Sequence, residues 1–230
     1  MKRLYRAMVT MNDEIHRVVE FVRRSWPGPP KECRVLDVGC GNGRYLRILS
    51  ESGFDMSGVD ENPELVQANK NAGMHCLTVD EFARTQDIYD VMLMSHVIEH
   101  FTPKDLVSFL DSYLDRLKVG GRLIIATPLL TPYFYDDFDH VKPYHPMGIL
   151  MVFGTETAQV QYYSRNKLAL EDIWIRRSPV RPPHTRGRYM QSIQARPRQM
   201  LEFFSALLFR ASGGLIGESD GWVGLFRKIN

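Results

Sequence analysis

Residues 35–44 read VLDVGCGNGR, a short apolar run that is followed by three glycines at alternate positions. An apolar, β-branched run that ends in glycine predicts a buried strand leading into a tight turn. Apolar residues at helical spacing return directly after the turn, at Tyr45, Leu46, Ile48 and Leu49. The stretch therefore predicts a strand, a turn and a helix, with glycines that let a ligand approach the backbone closely.

The same alternation of strand and helix continues along the chain. Strands that alternate with helices favour a parallel sheet covered by helices on both faces. We predict a doubly wound α/β fold with a mostly parallel, seven-stranded sheet. Its predicted strands cover residues 33–38, 54–59, 75–79, 89–94, 122–127, 168–175 and 222–226.

The chain length predicts a single domain of residues 1–230, which we divide into three parts. Residues 1–32 form an N-terminal helical cap, and residues 33–127 form the ligand-binding core. Residues 128–230 supply loops, helices and the last strands. This third part includes an active-site loop over residues 131–145 and an apolar helical stripe over residues 199–210, which is expected to pack in the core.

The composition excludes several classes of protein. Hydrophobic residues make up 44% of the chain and charged residues 24%, which is ordinary for a globular domain and unlike a disordered or fibrous protein. The formal net charge is +2, so the chain as a whole lacks the electrostatic signature of a nucleic-acid-binding protein. No DNA partner is predicted.

The cysteines and the first residues of the chain indicate where in the cell the protein is located. Cys33, Cys40 and Cys76 are an odd number at wide spacing without a C-x-x-C pair, which argues against a disulfide framework or a zinc cage. The first residues lack the apolar core of a signal peptide, and no run of about 18 apolar residues suggests a membrane span. We therefore predict a cytoplasmic protein with at most a peripheral contact to a membrane.

The glycine spacing and a nearby carboxylate indicate what the turn binds. A dinucleotide fingerprint needs glycine at its sixth position, but counting from Gly39 that position holds Arg44. Asp37, two residues before Gly39, would repel a pyrophosphate and attract an ammonium group. The ligand is therefore expected to carry a positive charge and no phosphate.

The stretch around Gly39 resembles motif I of the class I S-adenosylmethionine-dependent methyltransferases, and the similarity extends over residues 18–127. The chain is similar to the small-molecule type of this class, which includes the ubiquinone O-methyltransferases. The resemblance implies S-adenosyl-L-methionine as the cofactor. It also implies a donor site that comprises Asp37, Gly39, Gly41, Gly43, Asp60, Glu61, Asp80, Glu81, Phe82 and Ser95.

Two further carboxylates of this set are expected at the ends of strands, as Asp37 is. Asp60 follows the second predicted strand, where its two oxygens can accept hydrogen bonds from both ribose hydroxyls, as the family uses that position. The resemblance assigns Asp80, after the third strand, to the adenine amino group, and Phe82 or a neighbour to the adenine ring. All three carboxylates would then meet at the carboxyl edge of the sheet.

Histidines follow the fourth and fifth predicted strands, at this same edge. His96, His100 and His140 are the candidate catalytic residues, because a hydroxyl acceptor must lose its proton before or during methyl transfer. Glu99 and His100 resemble the family's element after the fourth strand, and they could instead brace the following helix. We expect a small-molecule or glycan-like acceptor, methylated on oxygen rather than nitrogen.

A metal site is the alternative use of these residues. The segment is similar to the E-x-x-E-H ligand set, with a later histidine, of ubiquinone-type and small-RNA terminal 2′-O-methyltransferases, but His96 stands in place of the first glutamate. His96, Glu99, His100 and His140 could still polarise a hydroxyl through a metal. We predict no metal and leave this alternative open.

A local excess of positive charge lies near the end of the chain. Residues 165–198 contain eight arginines and Lys167 but only Glu171 and Asp172 as acids. Such a segment could bind an anionic acceptor, RNA or anionic lipid. An RNA methyltransferase is therefore the second candidate function, and a non-catalytic subunit with the same fold is the third.

Overall fold

The computed structural model describes residues 13–156, 158–181 and 195–230, with side chains from residue 200 onwards in the last range. Within these residues, seven strands form one sheet in the order β3-β2-β1-β4-β5-β7-β6. The strands are β1 (Arg34–Val38), β2 (Asp55–Asp60), β3 (Cys76–Thr78), β4 (Tyr89–Ser95), β5 (Leu117–Pro128), β6 (Leu168–Ser178) and β7 (Glu218–Lys228).

The sheet is parallel from β3 to β5, and β7 runs antiparallel to both β5 and β6. The predicted doubly wound, mostly parallel sheet is therefore confirmed. The strand order reverses between β1 and β4, and open α/β sheets bind ligands at the carboxyl ends of the strands that flank such a point.

Several helices begin where the sequence supplies a side-chain cap. Asp13 accepts a hydrogen bond from the backbone of Ile15, Asn62 from Glu64 and Thr102 from Asp105, so each starts a helix. The described α-helices are α1 (Glu14–Ser25), α2 (Arg44–Glu51), α3 (Pro63–Asn71), α4 (Val79–Arg84), α5 (Pro103–Leu114), α6 (Pro146–Phe153) and α7 (Ala195–Ala211).

Two apolar cores cover the faces of the sheet, because successive side chains of a strand point to opposite faces. Leu36 and Val38 belong to the core under α5, whereas Val35 belongs to the core under α1 and α2. The central strands are thus buried on both faces. Rigid strands of this kind hold the loops at their ends in fixed positions.

Two predictions about local structure were wrong. The third strand ends at Thr78, and Val79 begins α4, because the side chains of Thr78 and Glu81 form a capping box. Asp80 therefore lies in the first turn of a helix rather than at the end of a strand. The apolar stripe of residues 199–210 does form part of α7, but its large apolar side chains are exposed rather than packed in the core.

Among the described residues, no helix combines the length and the apolar character that a membrane crossing requires.

Candidate active site

The turn after β1 needs its glycines. Gly39, Gly41 and Gly43 have φ values of 70°, 51° and 68°, a region that residues with a Cβ rarely adopt. A Cβ on Gly39 would also lie 2.5 Å from Cγ2 of Val97. The backbone of the turn therefore passes directly against the segment that follows β4.

Asp60 fixes this turn from the end of β2. Its Oδ2 accepts a hydrogen bond of 2.8 Å from the backbone N–H of Gly41, and its Oδ1 accepts one of 2.9 Å from Asn62. A carboxylate has about four acceptor positions, so each oxygen can accept one more donor. Asp60 thus shapes the glycine turn and keeps the capacity to bind two hydroxyls.

Asp37 lies beneath the glycine turn rather than in the open cleft. It is only 1% exposed, and its Oδ2 has no hydrogen-bond partner among the described residues. Burial, with smaller contributions from Cys76 and Asp60, raises the pKa of Asp37 to about 8. A cation that binds near the turn would stabilise the ionised form of this buried carboxyl group, whose Oδ2 has no hydrogen-bond partner in the described part of the chain.

The glycine turn opens onto a cleft of about 590 Å³, a size usual for a small-molecule site. The cleft brings together residues that the sequence predicted for two different roles. Gly39, Asp60 and Glu61 of the predicted donor site line it, as do the candidate catalytic residues His96 and His100. The residues lining it are Val38, Gly39, Val59, Asp60, Glu61, Val79, His96, Val97, His100, Phe101, Phe109, Tyr113 and Asp139.

Other residues of the predicted donor set do not line this cleft. Glu81 binds Nζ of Lys70 at 2.8 Å and the backbone N–H of Thr78 at 2.8 Å, and the Lys70 ammonium holds the pKa of Glu81 below its usual range. Asp80 is exposed on α4, and Ser95 contacts the phenol of Tyr45.

Phe82, predicted to pack on adenine, is also outside the cleft lining. It is buried, and its ring stacks on that of Tyr113 with centroids 5.3 Å apart. Phe109 and Tyr113, on one face of α5, line the cleft instead. Val79, the first residue of α4, lines it as well. The sequence analysis missed this apolar wall, although the spacing of Phe109 and Tyr113 places them on one side of a helix.

His96 occupies a strained position between two carboxylates. Its φ is 56°, and its Nε2 lies 2.8 Å from Oε1 of Glu14 and its Nδ1 3.2 Å from Oε1 of Glu99. Glu14 in turn pairs with Arg176, whose Nε binds Oδ1 of Asp220 at 2.9 Å. Burial would lower the pKa of His96, but the contacts with Glu14 and Glu99 outweigh it and raise the pKa to about 9.

His100 and His140 have a different arrangement, because each ring is fixed by a backbone carbonyl. Nδ1 of His100 lies 3.0 Å from the carbonyl oxygen of Asp139, and Nδ1 of His140 lies 2.7 Å from that of Phe134. A carbonyl only accepts, so both Nδ1 atoms carry the proton and both Nε2 atoms have a lone pair when the rings are neutral. Nε2 of His140 also lies 3.7 Å from Oδ2 of Asp137. The ring centroids are 5.1 Å apart.

The loop after β5 is held against these histidines. The backbone N–H groups of Val141 and Lys142 donate to the carbonyl of Glu99 at 2.9 and 3.1 Å, and the Tyr144 hydroxyl donates to that of Phe101 at 2.9 Å. The predicted active-site loop therefore contributes to the cleft, with Asp139 in its lining.

Glu99, His100 and His140 can each offer one ligand atom within 4.8 Å of the others. Glu99 is fully buried, and its Oε2 accepts a hydrogen bond of 2.9 Å from Thr127. His96 is not part of this group of possible ligands. Three of the four residues that the sequence suggested as metal ligands are thus close enough for a shared ion.

Solved structures share this architecture. A SAM-dependent methyltransferase from Archaeoglobus fulgidus aligns with a TM-score of 0.57 at 20% identity, covering 92% of this chain and 94% of that one. An S-adenosylmethionine-dependent methyltransferase from Mesorhizobium loti aligns with a TM-score of 0.52 at 16% identity, covering 90% and 95%. The fold is that of the class I S-adenosylmethionine-dependent methyltransferases.

The chain belongs to the family described as "Methyltransferase domain", whose family model matches residues 10–192. It is accordingly a methyltransferase, and S-adenosylmethionine is its cofactor. Both predictions from the sequence are confirmed.

Curated relatives include ubiquinone biosynthesis O-methyltransferases. The protein from Cereibacter sphaeroides is 31% identical over 111 residues, which are 45% of this chain and 44% of the relative. The protein from Azorhizobium caulinodans is 34% identical over 107 residues, which are 43% and 42%. The matched region spans less than half of these relatives.

Proposed function

We propose that this methyltransferase acts on an oxygen atom of a small-molecule acceptor, with His100 as the base. The position of His100 carries this proposal. Its Nδ1–H is held by the Asp139 carbonyl, so the lone pair of Nε2 belongs to a ring that lines the cleft. A histidine fixed in this tautomer can accept a hydroxyl proton at Nε2.

The donor half of the cleft fits S-adenosylmethionine. Gly39 lets the ligand approach the backbone, Asp60 offers two acceptor oxygens, and the buried carboxyl of Asp37 gains from an ammonium group above the turn. When bound, the cofactor supplies a methyl group activated by the sulfonium charge. Val79, Phe109 and Tyr113 supply an apolar wall of the cleft.

His96 has a positioning role in this proposal rather than that of a base. Its two ring nitrogens face two carboxylates, and its pKa of about 9 keeps the ring protonated at neutral pH. A protonated imidazole has no lone pair to accept a proton. His96 therefore holds Glu14 and Glu99 in place beside the cleft.

We assign His140, which lies next to His100 but outside the lining of the cleft, to orienting the acceptor. Its ring packs against that of Phe134 with centroids 4.5 Å apart and lies beside His100. An acceptor hydroxyl between the two Nε2 atoms would be fixed by one ring while the other removes its proton. This pairing favours an oxygen acceptor, because a neutral amine needs orientation only.

The names of the curated relatives also favour oxygen, since they describe O-methyltransferases. The identity of the acceptor and its possible negative charge stay predictions, as does a cytoplasmic location. A nitrogen acceptor is the alternative within the same cleft.

RNA has less support as the acceptor, because several described arginines of the 165–198 segment are occupied by partners within the chain. Arg165 pairs with Asp115, Arg176 with Glu14 and Asp220, and Arg177 donates to the carbonyls of Leu215 and Gly217. Guanidinium groups whose N–H groups already have partners within the chain are less available to bind phosphates.

A metal bound by Glu99, His100 and His140 is the other way to activate the same hydroxyl, since it would act as a Lewis acid there. Backbone carbonyls at both Nδ1 atoms are also the usual support of metal-binding histidines. We favour the metal-free base, because a neutral imidazole that lines the cleft suffices for proton removal.

The experiment is transfer of tritiated methyl groups into a small-metabolite extract, compared for wild type, His100→Gln and Asp60→Ala. We expect His100→Gln to keep cofactor binding in calorimetry and to lose about a hundredfold or more in turnover. Asp60→Ala should lose cofactor binding. His16→Gln, an exposed histidine of α1, is the matched control.

Turnover by His100→Gln at the wild-type rate would remove the proposed base. Chelation with EDTA separates the two routes, because the metal-free route predicts an unchanged rate after dialysis. Loss of activity that zinc, magnesium or manganese restores would favour the metal at Glu99, His100 and His140.

A further inference from the structure

Helix α7 turns its apolar side away from the protein. Within its described part, six large apolar residues are each more than half exposed, with values from 52% to 66%. Most of them recur three or four positions apart, so they share one side of the helix. This outer apolar face consists of Met200, Leu201, Phe203, Phe204, Leu207 and Leu208.

The opposite side of α7 makes the contacts with the rest of the chain. The Ser205 hydroxyl donates to the carbonyl of Val180 at 2.6 Å, just after β6, and Phe209 packs against the backbone of Gly217. A surface helix of a globular protein usually shows the reverse arrangement, with its apolar stripe facing the core. The outer apolar face therefore calls for a partner outside the chain.

The outer apolar face lies at the same edge of the sheet as the cleft. Gly221 pairs with Arg176 near the end of β6 and with Pro128 at the end of β5, so these two strands end together. The guanidinium of Arg181 also stacks over the ring of Tyr133, in the loop after β5, at 5.8 Å from its centroid.

Further exposed apolar side chains extend this edge. Phe138 is 98% exposed and Tyr135 is 64% exposed in the loop after β5, and Leu215 is 77% exposed just after α7. The exposed apolar side chains of this region are therefore not confined to α7.

Positive charge borders the outer apolar face. The sequence of α7 contains three arginines and one glutamate, and Arg210 is exposed one position after Phe209. By helical geometry Arg210 lies next to Phe203 and Leu207, at the side of the face. Arg181 is exposed as well, on the segment that receives the Ser205 hydrogen bond.

We propose that the outer apolar face of α7 rests on an anionic lipid surface, with Arg210 and Arg181 at the level of the phosphate headgroups. A helix whose apolar side lies in the acyl boundary and whose cations lie at its flank is suited to this position. A two-fold contact with a second copy fits less well, because it would bring the same arginines of two copies together. The proposal concerns a surface outside the cleft and does not depend on which acceptor is methylated.

The test is sedimentation of the full chain with vesicles of phosphatidylcholine alone and with vesicles that contain about one third phosphatidylglycerol. We expect binding to the anionic vesicles that weakens with salt. The double variant Phe203→Ser, Leu207→Ser should reduce the partition coefficient by about tenfold or more, since apolar burial drives the insertion. Arg210→Gln should reduce it about fivefold, and on anionic vesicles only.

Tyr163→Ser is the matched control, because Tyr163 is 72% exposed but precedes β6, at the opposite end of that strand from Val180. It should bind vesicles like the wild type. Failure of the wild type to sediment with either vesicle would overturn the proposal. A dimer in light scattering that the double variant dissociates, without vesicle binding, would assign the face to a second copy instead.

Discussion

Nε2 of His96 lies 2.8 Å from Oε1 of Glu14, although 82 positions separate the two residues in the chain. On the other side of the ring, Nδ1 lies 3.2 Å from Oε1 of the buried Glu99. A protonated ring carries an N–H on each nitrogen, so it is the form that suits a carboxylate on both sides. The histidine that follows β4 therefore joins helix α1 to the wall of the cleft as a cation.

Replacing Glu14 by Gln should lower the pKa of His96. Burial alone would lower this pKa from 6.5, and the contacts with Glu14 and Glu99 raise it to about 9. We expect the NMR titration of the His96 ring to move to lower pH in Glu14→Gln. An unchanged pKa of His96 in Glu14→Gln would show that Glu99 alone keeps the His96 ring protonated.

The same contact makes the stability of the protein depend on pH. Because the pKa of His96 is raised in the folded state, its stabilisation is fully present below pH 6.5 and is lost as the pH rises through about 9. Urea unfolding should therefore show a steeper fall in the free energy of unfolding over this window for wild type than for Glu14→Gln.

Asp60→Asn should weaken cofactor binding by about a hundredfold, since it disturbs charge-assisted hydrogen bonds at both oxygens. The carboxylate accepts from the N–H groups of Gly41 and Asn62, and an amide nitrogen in either place would face another donor. Calorimetry with S-adenosylmethionine measures the effect, and Glu64→Gln on α3 is the control. Equal affinities for the two variants would contradict the assignment.

Gly39→Ala should destabilise the turn more than Gly41→Ala. Both positions have positive φ, which costs about 1–2 kcal/mol for alanine. Only the new Cβ at Gly39 would also meet Cγ2 of Val97, at 2.5 Å, whereas nothing lies within 4 Å of one at Gly41. In thermal unfolding, the added substitution Val97→Ala should recover part of the loss from Gly39→Ala. If the effects of Gly39→Ala and Val97→Ala on stability are strictly additive, the contact between the new Cβ and Val97 has no effect.

Cofactor affinity should rise with pH toward the pKa of Asp37. Burial raises this pKa to about 8, so the carboxyl group is protonated at neutral pH in the free protein. A cationic ligand favours the ionised form, and its binding should release a proton. Calorimetry in buffers of different ionisation enthalpy measures that release. Asp37→Asn should abolish it, and a wild type that releases no proton would contradict the prediction.

Phe82→Ala and Val79→Ala should separate stability from cofactor binding. Phe82 is buried against Tyr113, so its loss should cost about 3–5 kcal/mol in the free energy of unfolding. Val79 is 46% exposed in the cleft lining, so its loss should leave stability nearly unchanged and weaken binding several-fold. The reverse pattern would restore Phe82 to the place that the sequence assigned to it.

Much of the fold and half of the cleft could be predicted from local signals. The alternation of strand and helix determines a parallel sheet, and a parallel sheet brings the turn at Gly39 and the segment after β4 to one edge. That is why Gly39, Asp60, His96 and His100 meet in the structure. The location of these four residues could be predicted without knowing any contact between distant parts of the chain.

The rest depends on contacts or orientation that local patterns do not specify. Thr78 and Glu81 did carry the spacing of a capping box, which would have moved Asp80 into α4. The pairing of His96 with Glu14 spans distant elements, and no period in the sequence encodes it. The apolar stripe of α7 predicts a helix, but it does not say which side of that helix meets the protein.

Arg176 on β6 contacts Glu14 from the first described helix and Asp220 from the last strand. The support of His96 therefore comes from segments that lie on either side of the stretch carrying the glycine turn and the cleft histidines. A truncated version limited to residues 33–127 would retain Gly39, Asp60 and His100 but deprive the His96 imidazolium of one of its two counterions. Trimming either end of this enzyme would thus alter the chemistry at its centre.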